Sequence, residues 1–427
     1  MLTHLILGAG PAGVIAAETI RKHAPQDNIF IVGDEAEPPY SRMAIPYLLV
    51  GRIGEPGTHL RHSPDHYERL RIHLKRGVRA KAIDTQARRV AFDDGTDMAY
   101  DRLLIATGSS PVQPPIPGID SPGVHTCWTL DDARAIAARA QPGARVVQVG
   151  AGFIGCIIME ALALRGVKLS VVETGDRMVP RMMGPTAGGM IRQWVQSKGI
   201  DVHTGARVEA IQPVGNALRV KLSSGEVLEA DLVISATGVR PNIGFLWGSG
   251  VRCLQGVLTD EHLQTSVSGV YAAGDCAEAF DRVSGRTIVS AIQPNAAEQA
   301  RVAALNMVGQ RAVLGGVTQI NVLDTLGLIS TSFGNWQGVP GGERAELVDQ
   351  EAGKALSLQF DGELLVGCNS VGWTDHVGVM RGLVEGQIRL TPEWKQRLLE
   401  DPTQLMPAYL ACAQAQEARG LGKLAPR

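Results

Sequence analysis

The sequence predicts an α/β protein in which two βαβ units of one kind are followed by an α+β segment. Three observations predict it. Two glycine-rich turns, Gly8-Ala9-Gly10-Pro11-Ala12-Gly13 and Gly150-Ala151-Gly152-Phe153-Ile154-Gly155, each stand between a short apolar run and a helical pattern. Each is followed by a second apolar strand, a hairpin and an Ala-Thr-Gly triplet in the same order. Beyond about residue 315 the pattern changes to strands rich in β-formers and then to helices.

The elements follow in chain order. Leu2–Leu7 is an apolar strand ending at the first turn, and Val14, Ile15, Ala17 and Ile20 mark the inward face of the helix after it. Ile29–Val32 is the second strand of this copy. Val146–Val149, a helix to about Leu164 and Leu169–Val172 repeat the arrangement. The hairpins turn at Gly95 and Gly225, and the triplets are Ala106-Thr107-Gly108 and Ala236-Thr237-Gly238. Gly95 to Gly108 and Gly225 to Gly238 are both 13 residues, so the repeat holds in register as well as in order. The first copy is about 12 residues longer, an excess placed around Pro38–Ile53. Pro111–Pro122 reads as the linker between copies. After Gly238 no third copy begins. The chain runs to Tyr271-Ala272-Ala273-Gly274-Asp275, then to a helix from about Pro294 to Val308. Strands are expected at Gln319–Asp324, Ile329–Phe333, Ala355–Asp361 and Leu364–Cys368, and helices at Pro392–Glu400 and Pro407–Ala418. The expected domains are 1–115 with 241–314, 116–240, and 315–427.

Composition narrows the function classes. The 427 residues are 44% apolar and 20% charged, which places the chain among ordinary globular proteins. A net charge of −2 gives no basic excess of the kind nucleic-acid binding requires. The six cysteines, at 127, 156, 253, 276, 368 and 412, have no CxxC, CxxxxC or zinc spacing, which argues against a disulfide scaffold, a structural metal and a resident cluster. The one membrane-like stretch, Val146–Leu164, is interrupted by Gln148, three glycines and Glu160, and reads as strand, turn and buried helix. A cytoplasmic protein without a membrane span is expected. Glycine is the anomaly, at 50 residues. That is about 12% of the chain against a usual ~7%, so many turns or close backbone approaches are needed.

Each glycine-rich turn has the parts of a dinucleotide site. The first glycine makes the turn, the second lets a pyrophosphate approach the backbone, and the third lets helix and strand pack closely. Pro11 suits the first helical turn, where its missing N–H costs nothing. The helix start then offers free amides and a positive dipole end to phosphate. Asp34, 21 residues past Gly13, or its neighbour Glu35, stands where ribose hydroxyls are accepted, and Glu173, 18 residues past Gly155, does so in the second copy. A carboxylate there repels a 2′-phosphate, so the second site is expected to prefer NADH to NADPH. Arg177 and Arg181, nearby, are read as surface charges.

Two such turns, two Ala-Thr-Gly segments and one late Tyr-Ala-Ala-Gly-Asp resemble the pyridine nucleotide-disulfide oxidoreductase superfamily over about Met1–Gly309. The resemblance implies a glutathione-reductase-like fold, with two Rossmann-type domains for FAD and NAD and a C-terminal α+β domain. It assigns Gly8, Gly10, Pro11, Ala12, Gly13, Asp34, Glu35, Ala106, Thr107, Gly108, Gly274 and Asp275 to FAD. To NAD it assigns Gly150, Gly152, Phe153, Ile154, Gly155, Glu173, Thr237 and Gly238. It also implies that the helix beginning near Pro294 and Asn295 points its N-terminus at the flavin. Pro39-Tyr40-Ser41-Arg42 resembles a segment of ferredoxin and rubredoxin reductases and of the flavin region of nitrite reductases. There Arg42 would sit beside FAD; the alternative is a loop arginine paired with Asp34 or Glu35.

Three departures qualify the resemblance. Arg42–Gly51 holds no cysteine, with Ala44 where thiol-dependent relatives carry one, so thiol chemistry is not expected. Ile157 stands where relatives carry a glutamate near the nicotinamide, the nearest acid being Glu160. The C-terminal third lacks a Trp-rich stretch, and Val317–Gly334 resembles the interface domain of the thiol-type relatives.

Other candidates are weaker. His59, His62 and His66 do not share a helix face, because Ser63-Pro64-Asp65 reads as a helix start, and no metal site is expected. Cys156 and Cys276 read as packing residues. Trp373, Asp375 and His376 lie in a glycine-flanked run and read as core or interface. The expected activity is electron transfer from NADH through FAD to an iron–sulfur protein or an iron–sulfur subunit of a larger complex. No side chain is singled out as catalytic. The alternatives are an NADH oxidase or quinone reductase, and a non-catalytic FAD-binding scaffold or redox sensor. Residues 315–427 are where a homodimer or hetero-complex would form, with Trp394, Leu398, Leu399, Tyr409 and Leu410 as apolar contacts.

Overall fold

The structure, a computed structural model, describes residues 1–421. It divides into two compact units, one formed by 1–112 with 239–317 and the other by 113–238 with the chain from Thr318 onward.

The first unit is built on a five-stranded parallel sheet in the order Val270–Ala272, Arg102–Ile105, Thr3–Leu7, Asn28–Gly33, Ile72–Arg76. Its central strand is buried on both faces, which explains the unbroken apolar run in the sequence. Ile6 turns to one core with Ala16, Ala17 and Ile20 of the helix Pro11–His23 and Ala300 and Ala303 of the helix Gln293–Met307. Leu5 and Leu7 turn to the other, with Ile83, Val90 and Phe92 of a three-stranded antiparallel meander, Ala80–Asp84, Arg89–Phe92 and Asp97–Ala99. Alanine faces let the two helices pack closely on the sheet. The extra length of this copy forms a 3-10 turn, Arg42–Ala44, and a short helix, Ile45–Leu49.

The second unit repeats the plan. Its parallel sheet runs Asp201–Thr204, Lys168–Glu173, Arg145–Val149, Leu232–Ser235, Val124–His125, with the meander Val208–Val214, Ala217–Leu222, Val227–Ala230. The C-terminal segment is an antiparallel sheet in the order Ile320–Thr325, Leu328–Gly334, Leu364–Val371, Lys354–Asp361, Glu343–Asp349, followed by three helices. It is bolted to the nucleotide fold of the same unit. The Trp194 indole donates to the carbonyls of Thr325 and Leu326 (3.1 and 3.2 Å), and buried Asn369 accepts from Gly184 N and donates to Met182 O.

Of the five C-terminal residues expected as contacts, Leu398 is fully buried in its own domain and Tyr409 packs against Gly382. Leu410 is half exposed. Trp394 lies beneath the guanidinium of Arg397, 4.7 Å from the ring centre. The last residues of the chain, beyond 421, lie outside the described part. Among the described residues no helix is long and apolar enough to cross a membrane.

Candidate dinucleotide sites

Each glycine of the first turn has a separate structural reason. Gly8 has φ +117°, and a Cβ there would lie 2.0 Å from Ala106 O. A Cβ at Gly13 would lie 1.9 Å from Gly8 O. At Gly10 nothing of the chain lies within 4 Å of the added atom, so the side chain is missing where the protein itself leaves room. The helix that follows has no side-chain cap and no acid in its first turn. Open backbone, unpaired amides and a positive helix end fit a pyrophosphate.

The second turn repeats this geometry. Gly150 (φ +102°) approaches Ala236 O, Gly155 approaches Gly150 O, and Gly152 again faces open space. The helix Phe153–Leu164 is likewise uncapped and free of acid at its start. A difference lies beneath the turn. Buried Gln148 donates from Nε2 to Gly150 O and Gly155 O (2.9 and 3.0 Å), where the first unit has Ile6.

The acids stand at different depths. In the first unit Leu7 pairs with Val32, so Gly33 lies beside the turn and Asp34 one residue beyond it. In the second Val149 pairs with Val172, and Glu173 takes the place of Gly33. Glu173 is buried, and its carboxylate accepts from Ala151 N (2.8 Å) and Gly175 N (2.7 Å). Asp34 instead lines a cavity of about 230 Å³ with Gly8, Arg79, Thr107, Asn242 and Phe245. Glu35 does not line it. It accepts from Arg42 (2.6 Å) and Tyr40 (2.6 Å), and Arg42 also donates to the Tyr40 hydroxyl (2.8 Å). Arg42 is therefore paired with Glu35 here, the alternative expected from sequence. Of the two acids, Asp34 is the one that lines the cavity.

The remaining first-unit residues converge on the same end of the sheet. Thr107 donates its hydroxyl to Asn242 O (2.8 Å), and Asn242 returns a bond from Nδ2 to Thr107 O (3.0 Å). Gly108 has φ +64° with open space where a side chain would be. Gly274 has φ +81°, a Cβ there would sit 3.2 Å from Ala12, and its N–H donates to the buried Gln299. Asp275 accepts from Ser109 (3.0 Å). Burial pushes its carboxyl above the usual carboxylate range, while Ser109 and the charge of Arg42 pull it back. The helix Gln293–Met307 carries Pro294 and Asn295 in a first turn with no side-chain cap and no acid. Asn295 is buried and donates to Ser290 (2.6 Å). Asn242, Ser109, Gln299, Arg79 and Gln148 were not evident from sequence, since lone polar residues carry no spacing signal.

In the second unit Phe153, Ile154 and Ile157 are half-buried on the helix, Arg177 bonds Asp176 and the carbonyl of Met183, and Arg181 is exposed near Gly238, whose φ is +112°. None of the six cysteines is in a disulfide, and Cys253 alone is not buried. Burial pushes the Cys156 thiol up to about 12 and the Cys276 thiol in the same direction, which leaves both protonated and unreactive. His66 bonds Glu18 (2.8 Å), and among the described residues no group of three metal-ligating side chains comes together. His376 precedes the helix Val377–Glu385 in a left-handed conformation without a side-chain capping bond, and Trp373 lies under Lys354.

Comparison with known proteins agrees with this geometry. The profile of the pyridine nucleotide-disulphide oxidoreductases matches residues 2–304. The NADH-dependent phenylglyoxylate dehydrogenase subunit epsilon of Aromatoleum evansii is 33% identical over 403 residues, 93% of this chain and 95% of that one. An NADH oxidase of Methanocaldococcus jannaschii is 32% identical over 394 residues, 86% of this chain and 87% of that one. The solved ferredoxin reductase from Rhodopseudomonas palustris superposes with a TM-score of 0.84 at 26% identity, covering 92% of this chain and 97% of that one. The family implies FAD and NAD(H), and both turns have room for a dinucleotide. The chain belongs to the pyridine nucleotide-disulphide oxidoreductase family.

Proposed function

We propose that this protein is an FAD-dependent NADH oxidoreductase that passes electrons to an iron–sulfur protein or to an iron–sulfur subunit of a larger complex. The observation that carries the reading is the repeated turn: two glycine loops with open Cβ directions and uncapped, acid-free helix starts in one chain. FAD falls to residues 1–115 and 241–314, NADH to 116–240, and partner contacts to 315–427.

FAD, when bound, accepts a hydride from NADH and gives electrons up singly. The chain's own residues do the holding. Gly10 and the first-turn amides of Ala12 and Gly13 take the pyrophosphate, Asp34 the ribose, and buried Asp275 the hydroxyls of the flavin's sugar chain. Arg42, held by Glu35 and Tyr40, brings positive charge near the same end. Gly152 and the start of Phe153–Leu164 serve NADH, with Glu173 disfavouring a 2′-phosphate. The scattered cysteines, none of them in a disulfide, offer no thiol relay, which directs electrons outward. The similarity to a dehydrogenase subunit over nearly its whole length supports a protein acceptor.

Similarity to an NADH oxidase supports a second reading, in which oxygen is the acceptor. Oxygen uptake and flavin absorbance, followed together with excess NADH, separate the two. Rapid bleaching with slow uptake is expected for a protein acceptor. Uptake matching NADH loss identifies an oxidase, and no bleaching at all removes both readings.

A further inference from the structure

We propose that Arg79 is an adenine-binding residue of the first site, its guanidinium beside Asp34 and within reach of the base of a bound FAD. The inference rests on the reading that this site holds FAD. Asp34 and Arg79 line the same cavity and pair at 3.0 Å, with side chains 44% and 72% exposed. Exposed pairs of this kind are weak and readily exchanged. The backbone of Arg79 is fixed, donating to Asp93 Oδ1 (2.9 Å) and accepting from Asp93 N (3.0 Å). The two residues before it are zipped to the acid's own segment, Val78 N to Gly33 O and Gly77 N to Glu35 O. A long side chain is thus mounted on a rigid base beside the ribose acceptor.

The order of a dinucleotide along such a site assigns the rest. Pyrophosphate lies on the glycine turn and ribose on the acid, so the base lies beyond the acid, away from Gly8. The cavity lining includes Val78, Arg79, Ala80, Gly244 and Phe245, among which Arg79 is the one charged side chain. A flat base suits such a wall, and a planar guanidinium stacks on its face better than an ammonium would. The guanidinium stands 3.0 Å from Asp34, so one side chain reaches both the ribose acceptor and the place of the base beyond it.

The test uses the full-length protein stripped of flavin, as wild type, Arg79→Met and Arg79→Lys. FAD affinity is read by quenching of flavin fluorescence, and the unfolding midpoint of the flavin-free protein is read alongside. Arg79→Met is expected to weaken FAD binding about 3- to 30-fold, with Arg79→Lys between it and wild type and the flavin-free midpoints unchanged. FAD binding by Arg79→Met equal to or tighter than wild type overturns the inference, since Arg79 would then be neutral or a mere plug. A loss accompanied by an equal fall in the flavin-free midpoint overturns it too. Wild-type protein that takes up no FAD would instead remove the cofactor reading beneath it.

Discussion

The two nucleotide folds of this chain share their backbone and differ in their side chains. Both turns bring the first glycine onto a carbonyl of the Ala-Thr-Gly strand end, pack the third glycine against the first, and leave the second facing open space. The polar residues around these turns do not repeat. The first fold has Ile6 under the turn, Gly33 beside it and an exposed Asp34; the second has Gln148 under it and a buried Glu173 beside it. The turn is therefore a backbone object, fixed by steric necessity, whereas the acid beside it is adjustable by one strand position. In the first fold the acid pairs with Arg79 at the surface; in the second it holds the loop.

The largest expected effects separate packing glycines from the cradle glycine. Gly13→Ala places a methyl 1.9 Å from Gly8 O and should cost about 3 kcal/mol or more, with flavin lost from the purified protein. Gly155→Ala, at 2.6 Å from Gly150 O, should cost less. Gly10→Ala and Gly152→Ala place a Cβ with nothing of the chain within 4 Å, so thermal unfolding of the ligand-free protein should stay within about 0.5–1 kcal/mol of wild type. FAD content should fall at least tenfold in the first, and the KM for NADH should rise at least tenfold in the second. Unchanged binding in either variant would break the comparison at its root.

The acids give the next effect. Asp34→Ala removes a half-exposed carboxylate and should weaken FAD with little loss of fold. Glu173→Ala strands two backbone donors, Ala151 N and Gly175 N, and should cost about 1–3 kcal/mol in addition to any change in cofactor preference. Glu173→Gln removes the charge but keeps only one acceptor oxygen, so one of the two backbone donors, Ala151 N or Gly175 N, then faces an NH2 group. The ratio of kcat/KM for NADH to that for NADPH should fall about tenfold in Glu173→Gln; an unmoved ratio would leave Glu173 as a loop residue alone.

How much of this was legible in the sequence follows from the same contrast. Glycine spacing, apolar runs and the order of elements report backbone needs, and through them the two βαβ units, a hairpin in each and the glycine turns could be read. The strand Glu343–Asp349 could not: it is a sheet edge, mostly exposed, and its Glu-Arg-Ala-Glu alternation buries only Ala345 deeply. The helix Val377–Glu385 was hidden by the glycines inside it, Gly378 and Gly382, the second of which admits Tyr409. The site's polar supports were illegible for a different reason. Arg79, Ser109, Asn242, Gln148 and Gln299 act through single contacts across the chain, and one sequence holds no record of such pairs. The choice between Asp34 and Glu35 needed the strand register and the position of Arg42.

The smallest expected effect, and the sharpest on one position, concerns acid sensitivity. His4 is fully buried in the central strand of the first fold, with Nε2 on Asp27 (2.9 Å) and Nδ1 without a partner. The corresponding residue of the second fold, counted back from the glycine turn, is Val146. Burial holds the His4 pKa below its usual 6.5, opposed by Asp27 and Asp101 and assisted by Arg102. The unfolded chain then binds more protons than the folded one once the pH falls below about 6.5, so the first fold loses stability on acidification from that point down to the lowered pKa. Asp27, itself held low after its bonds to His4 and Leu2 N outweigh burial, keeps its contribution until the pH drops below the usual carboxylate range. The unfolding midpoint of wild type should therefore fall between pH 7 and pH 5, and His4→Val, which copies the second fold into the first, should flatten that fall while leaving Asp27 with one partner fewer. If the slope is the same in both proteins, the acid sensitivity belongs to other groups and the two central strands are equivalent in more than their backbone.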